Sequence, residues 1–391
     1  MKQQSLILKV IVISQFLCTS LWFASNGVIN DLVINFHLND SALGHLTSSV
    51  QFGFLSGTLI FAILTIADRY SPSKVFFISA LLSALFNFGV LWKGNSLASL
   101  LLFRFFTGFF LAGIYPVGMK IAADYYEKGL GKSLGFLVGA LVLGTALPHL
   151  LKGTTNTLPW ESVILTTACL SVMGGLFMVI MVPDGPYRKP SHKLNLSACF
   201  SVFKNLKFRS SAFGYFGHMW ELYAFWAFTP IMLKAYSILH PKAVLNIPIL
   251  SFLIIGIGGL SCILGGFISQ TIGVKKTAFM ALLLSCGCCL ISPFIFSIES
   301  KNLFIIFLVF WGMVVIADSP LFSTLVAQNA PPEIKGTALT IVNCIGFAIT
   351  IISIQIINSV SSHTDSNSIY TILAIGPILG LIALSRKTKP L

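Results

Sequence analysis

Glu221 stands three residues after His218 in the run Gly217-His218-Met219-Trp220-Glu221-Leu222-Tyr223-Ala224-Phe225-Trp226, and apolar sequence continues on both sides. A carboxylate in such a setting is expensive to bury, which makes it a functional candidate. On a helix His218 shares its face, Trp220 and Tyr223 share the adjoining face, and Trp226 follows about one turn later. A carboxylate beside imidazole, indole and phenol groups suits two jobs. It could carry a proton, or pair with a cationic group that rests on aromatic faces. A structural ion pair or hydrogen bond between helices would use the same residues.

Two more charges lie in apolar runs. Arg104 sits about seven residues, roughly 10 Å, into its helix, with Gly108 and Tyr115 on nearly the same face. It is either a binding group for a substrate anion, where its planar fork is suited, or the permanent partner of an acid. Asp318 directly precedes Ser319-Pro320, and Trp311 is seven residues earlier on the same face. The proline kinks the helix and frees a carbonyl, so Asp318 is a second proton site, part of a gate, or a local cap of the broken helix. Trp22 and Asn26, four residues apart, are the best cavity candidates among the uncharged polar groups Gln15, Asn30, Gln51 and Asn343, many of which simply bind other helices. His149, after Pro148, reads as interfacial.

These residues need a bilayer around them. The chain has 391 residues, of which 55% are hydrophobic and only 9% charged, and mean hydropathy is +0.89. Soluble domains carry about 25% charged residues, so this is an all-α polytopic membrane protein. A net charge of +13 would suggest nucleic acid if it clustered on a water-exposed domain, but the basic residues recur in short loops. Cys286, Cys288 and Cys289 lack His or carboxylate neighbours and read as packing residues rather than a metal cluster. The first apolar run exceeds a signal h-region and is read as retained.

Twelve spans follow from stretches of about 20 apolar residues: 6–30, 43–66, 74–93, 97–123, 133–152, 161–183, 211–236, 246–269, 276–297, 302–326, 336–360 and 368–385. With the N-terminus inside, eighteen of the 25 Lys and Arg residues fall on the inner side, five outside and two within helix 4. The positive-inside rule then places both termini in the cytoplasm. The hydrophilic stretch after helix 6 divides the chain into an N-terminal bundle (1–183), a basic linker (184–210) and a C-terminal bundle (211–391). Its SACFSVFKNLKF portion suits an amphipathic surface helix or a solvated linker equally.

The halves repeat. Asp68 matches Gln270 at an offset of 202, Pro116 matches Pro320 at 204, and Gly131 matches Gly336 at 205, as duplication of a six-helix unit requires. Ala67-Asp68-Arg69 with Lys74 after helix 2, and Gly266, Gly273 and Lys275 after helix 8, are two complementary copies of the loop pattern G-x-L-A-D-R-x-G-R-R. In these copies, and in Arg104-x-x-x-Gly108 of helix 4, the chain resembles the major facilitator superfamily over nearly its whole length. It departs at Leu64, Ser71 and Pro72, where glycines and an arginine are usual. The family's antiporter signature in helix 5 is not reproduced, since Gly135, Gly139 and Gly144 give small-residue spacing only.

The resemblance implies a twelve-helix transporter working by alternating access. By resemblance, Asp68 contacts the second half near helix 11 and locks the outward-facing state, with Arg69 binding nearby acids, and Arg104 is associated with proton coupling. Alternatively Asp68 and Arg69 only set topology. Lys120, Asp124, Lys128 and Lys132 form a charge stripe at four-residue spacing, with a secondary gating role for Asp124 and Lys132. The expected function is secondary active transport of a small polar or anionic organic solute across a bacterial inner membrane, coupled to protons. A passive facilitator and a proton-driven drug or metabolite exporter are the alternatives. No cofactor, metal or nucleic acid is expected, and a monomer should suffice. No Walker loop, H-E-x-x-H or G-x-S-x-G motif occurs, which disfavours an ATP-driven pump, an intramembrane enzyme or a sensor.

Overall fold

A computed structural model describes residues 2–39, 41–126, 130–154, 158–188, 201–331, 334–364 and 366–386. It is all-helical among those residues. The twelve crossing units are α1 (Lys2–Thr19, continued by Ala24–Gly27 and Ile29–Asn35), α2 (Ala42–Ile63), α3 (Pro72–Leu91), α4 (Leu97–Tyr125), α5 (Leu130–Thr154), α6 (Glu161–Met181), α7 (Leu206–Leu239), α8 (Ile247–Ile272), α9 (Val274–Phe296), α10 (Lys301–Asn329), α11 (Lys335–Ser361) and α12 (Asn367–Ser385). Eleven are long and apolar enough to cross a membrane, and α1 supplies the twelfth from a shorter apolar helix.

The helices are not uniform rods. α1 gives way to a turn at residues 20–23, and α4 breaks at residues 112–114 just before Tyr115-Pro116. α10 breaks at Asp318, just before Ser319-Pro320. In the last two cases a proline occupies the first turn of the new segment, where its missing N–H costs nothing. α7 is longer than the sequence implied. The Asn205 side chain accepts from the Lys207 and Phe208 amides and starts the helix at Leu206, so residues 206–210, assigned to the linker by sequence, are helical. Its 34 residues span about 51 Å, against a core of about 30 Å, and Glu221 lies near the middle. Of the proposed amphipathic segment, residues 197–200 lie outside the described residues; the described part is a short 3-10 turn, Val202–Lys204, followed by the first residues of α7.

Two glycines show the duplication in three dimensions. A Cβ on Gly108 would lie 2.0 Å from the Val50 carbonyl oxygen, and one on Gly312 would lie 2.1 Å from that of Ile254. Both members of each pair are related at an offset of 204. Only glycine permits this approach of α4 to α2 and of α10 to α8. The two halves meet along α2 with α11 and along α5 with α8.

Candidate functional site

Glu221 is 1% exposed and points into the second half. Trp311 Nε1 of α10 donates to its Oε1 at 2.6 Å and Cys289 Sγ of α9 at 3.3 Å, while Ser285 Oγ donates to Oε2 at 2.9 Å. One turn closer to the start of α7, His218 Nδ1 lies 2.8 Å from Asp318 Oδ1, both side chains being 1% exposed. The Asp318 side chain makes no capping hydrogen bond at the break of α10. The acid therefore serves as the partner of His218, joining α7 to the break. Ser285 was not singled out by sequence, and Cys289 was read as a packing residue, whereas its thiol donates to the Glu221 carboxylate. The signal was there, because they match Ser83 and Asn87 of α3 at an offset of 202.

That match has a counterpart in the first half. Arg104 is fully buried. Its Nη1 donates to the Leu21 carbonyl and to Asn87 Oδ1, each at 3.1 Å, and its Nη2 to the carbonyls of Leu21 and Trp22. At the turn in α1 the Leu21 carbonyl keeps only a long bond from the Ala24 amide, at 3.4 Å, and the guanidinium fork adds donors to it and to the Trp22 carbonyl. Gly108 packs on α2, and Tyr115, at the break of α4, is half-buried. Arg104 thus sits behind α1, with only Nε lacking a partner.

The opposite face of α7 meets the first half. Tyr223 stacks on Trp22 with ring centroids 5.8 Å apart, and Trp22 also packs on Phe54 at 4.6 Å and Phe347 at 6.0 Å. Trp226 makes edge contacts with Tyr223 at 5.2 Å and Phe23 at 6.3 Å. Trp220, expected beside Tyr223, instead donates to the Ile372 carbonyl of α12. Asn26 Nδ2 donates to Thr47 Oγ1 at 2.8 Å. His149 is buried rather than interfacial, one residue beyond Pro148, which lies against Gly27.

Among the described residues, three hydrogen bonds join α2 to α11, all at the end away from the chain termini. Gln355 Nε2 donates to the Gly44 carbonyl at 3.0 Å and to Ser48 Oγ at 2.7 Å, and Asn358 Nδ2 donates to the Ser41 carbonyl at 3.0 Å. At the termini end the charges pair within the first half. Lys120 contacts Asp68 at 2.7 Å and Asp124 at 3.8 Å, and Arg188 donates to the carbonyls of Asp68 and Tyr70. Asp68 accordingly engages α4 rather than α11. Arg69 donates to Thr65 Oγ1 at 3.1 Å. The side chains of Lys128 and Lys132 lie outside the described residues. On the second half, Tyr215 donates to Asn343 Oδ1 at 2.8 Å.

A family model described as Major Facilitator Superfamily matches residues 11–354. No curated protein matches the chain. Among solved structures, a bacterial homologue of the human lysosomal transporter Spinster, in an inward-facing and unoccupied conformation, aligns with 98% of this chain and 95% of its own, at 16% identity and a TM-score of 0.68. The nucleoside transporter NupG aligns over 97% and 98%, at 15% identity and a TM-score of 0.74. The human organic anion transporter MFSD10 (TETRAN) aligns over 98% and 99%, at 16% identity and a TM-score of 0.70. At these identities the likeness is one of fold.

Proposed function

The chain belongs to the Major Facilitator Superfamily, and on that premise we propose that it is a proton-coupled secondary transporter of a small polar organic solute. Membrane transport is the family's work. The coupling reading is carried by one observation, the buried His218–Asp318 pair one turn from the buried Glu221. Two acids and an imidazole share the interior of one half, and proton gain or loss there changes charge where no water screens it. Asp318 lies at the break of α10, so a change in its pairing bears on a bendable element. A proton can drive alternating access only through such state-dependent contacts.

The excess of basic residues on the termini side supports an inner-membrane protein with both ends in the cytoplasm. The hydrogen bonds at the far end of α2 and α11 then support an inward-facing or occluded state. A passive facilitator is the second reading, favoured by the three donors around Glu221, which suit a static fastening.

A ligand first identified by thermal shift would be followed into proteoliposomes with and without an imposed pH gradient. Gradient-driven accumulation that is lost in Glu221→Gln is the expected result. Accumulation that ignores the gradient, or that survives Glu221→Gln, overturns the proton-carrier role and leaves the facilitator.

A further inference from the structure

Arg104, Glu221 and Asp318 each engage side chains of their own half, and the groups described below, where α2 meets α11 and α7, are uncharged. Counting from Ala42 along α2, Ser48 lies about 9 Å deep, Gln51 about 14 Å and Phe54 about 18 Å. Counting from Ser361 along α11, Gln355 lies about 9 Å deep and Phe347 about 21 Å. The Ser48–Gln355 hydrogen bond therefore closes one side, and the Phe54–Phe347 contact, with centroids 4.6 Å apart, closes the other. Gln51 falls between them. It shares a helix face with both Thr47, which binds Asn26 of α1, and Phe54, which packs on Trp22. The opposite face of α2 is occupied by α4, since Gly53 lies against the Phe105 carbonyl.

Several polar atoms here are buried and unpaired. Both amide atoms of Gln51, the indole nitrogens of Trp22 and Trp226, and Ser25 Oγ have no hydrogen-bond partner among the described residues. All four residues are at most 1% exposed. Native structures pair such groups, and those left over call for an explanation. Two N–H donors, an amide that both donates and accepts, and flat aromatic walls constitute the usual makeup of a small-molecule site, apolar with a few convergent polar groups. No described Asp, Glu, Lys or Arg side chain is hydrogen-bonded or ion-paired to the side chains of Trp22, Gln51, Phe54, Tyr223, Trp226 or Phe347.

We infer that Gln51, Trp22 and Trp226 form a substrate subsite for an uncharged, ring-bearing solute whose rim carries hydroxyl or carbonyl acceptors, as a sugar or a nucleoside does. The inference rests on the transporter reading and narrows its substrate from polar or anionic to neutral. Ring stacking supplies affinity. The indole N–H groups and the Gln51 amide supply orientation, and they penalise any ligand that leaves them unpaired.

The test is equilibrium binding to the purified full-length protein in detergent, with no gradient, read by thermal shift and tryptophan fluorescence. The probes are uridine and methyl β-glucopyranoside as neutral arms, uridine 5′-monophosphate and glucuronate as anionic arms, and tetraethylammonium as the cationic arm. At least one neutral probe should stabilise the protein, with its anionic counterpart binding at least tenfold more weakly; which neutral probe binds separates the two ring classes. Gln51→Leu should weaken that binding at least tenfold with the unliganded melting temperature little changed. Trp22→Phe, which keeps an aromatic face but deletes the N–H, should weaken it severalfold. Stabilisation by charged probes alone, by no neutral probe, or undiminished in both variants would overturn the proposal. Binding without gradient-driven transport would leave the subsite standing and remove only the proton coupling.

Discussion

Arg104→Lys separates a brace from an anion site. The guanidinium makes four hydrogen bonds into three acceptors, the carbonyls of Leu21 and Trp22 and Asn87 Oδ1. A lysine keeps the charge but presents one compact ammonium in place of a planar fork, and it cannot span acceptors on two helices. If one or two acceptors are left unpaired at about 1–3 kcal/mol each, the loss is about 3 kcal/mol. For domains of 150–250 residues that corresponds to a fall in melting temperature of roughly 6–12 °C, and a fall of about 5 °C or more is expected here. The assay is thermal unfolding of the unliganded protein in detergent, followed by intrinsic fluorescence. Asn87→Ala should show a smaller loss, and the double variant less than the sum, because the two residues share one network. An Arg104→Lys protein that melts within about 1 °C of the parent, yet loses stabilisation by anionic ligands, would refute the brace and restore the anion site.

Asp318→Asn and His218→Gln should each destabilise the protein by about 3–5 kcal/mol, because each strands a buried charge or its partner; the double variant should recover part of that loss in a thermal or denaturant cycle, and strict additivity would argue against the pair. Trp311→Phe removes the shortest donor to Glu221 while keeping most of the ring, and should cost about 1–3 kcal/mol, measured as a melting shift that largely vanishes in the Glu221→Gln background. Gln355→Leu combined with Asn358→Leu deletes all three described hydrogen bonds between α2 and α11; at about 0.5–1.5 kcal/mol each, the far end should open at least tenfold more readily, seen as faster hydrogen exchange of the amides in 41–48 and 355–361.

Much of the architecture was legible because its signals are long and redundant. Twelve apolar stretches, loop charges on one side and a repeat at offsets of 202–205 residues each point to the same fold, and no single residue decides it. The site was legible by composition and not by direction. Glu221, His218, Arg104 and Asp318 stand out because charges in apolar runs are rare, yet helical spacing does not say which neighbour a face meets. Trp220 and Tyr223 are three residues apart, but one reaches α12 and the other α1. Ser285, Cys289, Gln355 and Asn358 are ordinary polar residues whose importance comes from partners more than 60 residues away. The early start of α7 was missed because Lys207 and Arg209 read as loop charges, and only the Asn205 cap shows them to be helical.

The repeat also gives a physical reason for the proposed coupling to lie in one half. In both halves the third helix offers polar side chains at matching positions, Ser83 and Asn87 on α3 and Ser285 and Cys289 on α9. The first half uses Asn87 to hold an arginine, whose charge is permanent, against the break in α1. The second uses Ser285 and Cys289 to hold a glutamate, beside a histidine and an aspartate at the break in α10, and all three can exchange protons. On the proposed reading the Arg104 network is a fixed brace, and the cluster around Glu221 is the one whose charge differs between states. Glu221 and Tyr223 are two residues apart, about 200° around α7, so that helix carries the Glu221 cluster on one face and the aromatic cluster with Trp22 on the other. A shift of α7 that accompanies protonation of Glu221 would move Tyr223 against Trp22. On the proposed coupling, that shift is a direct physical link between proton and substrate.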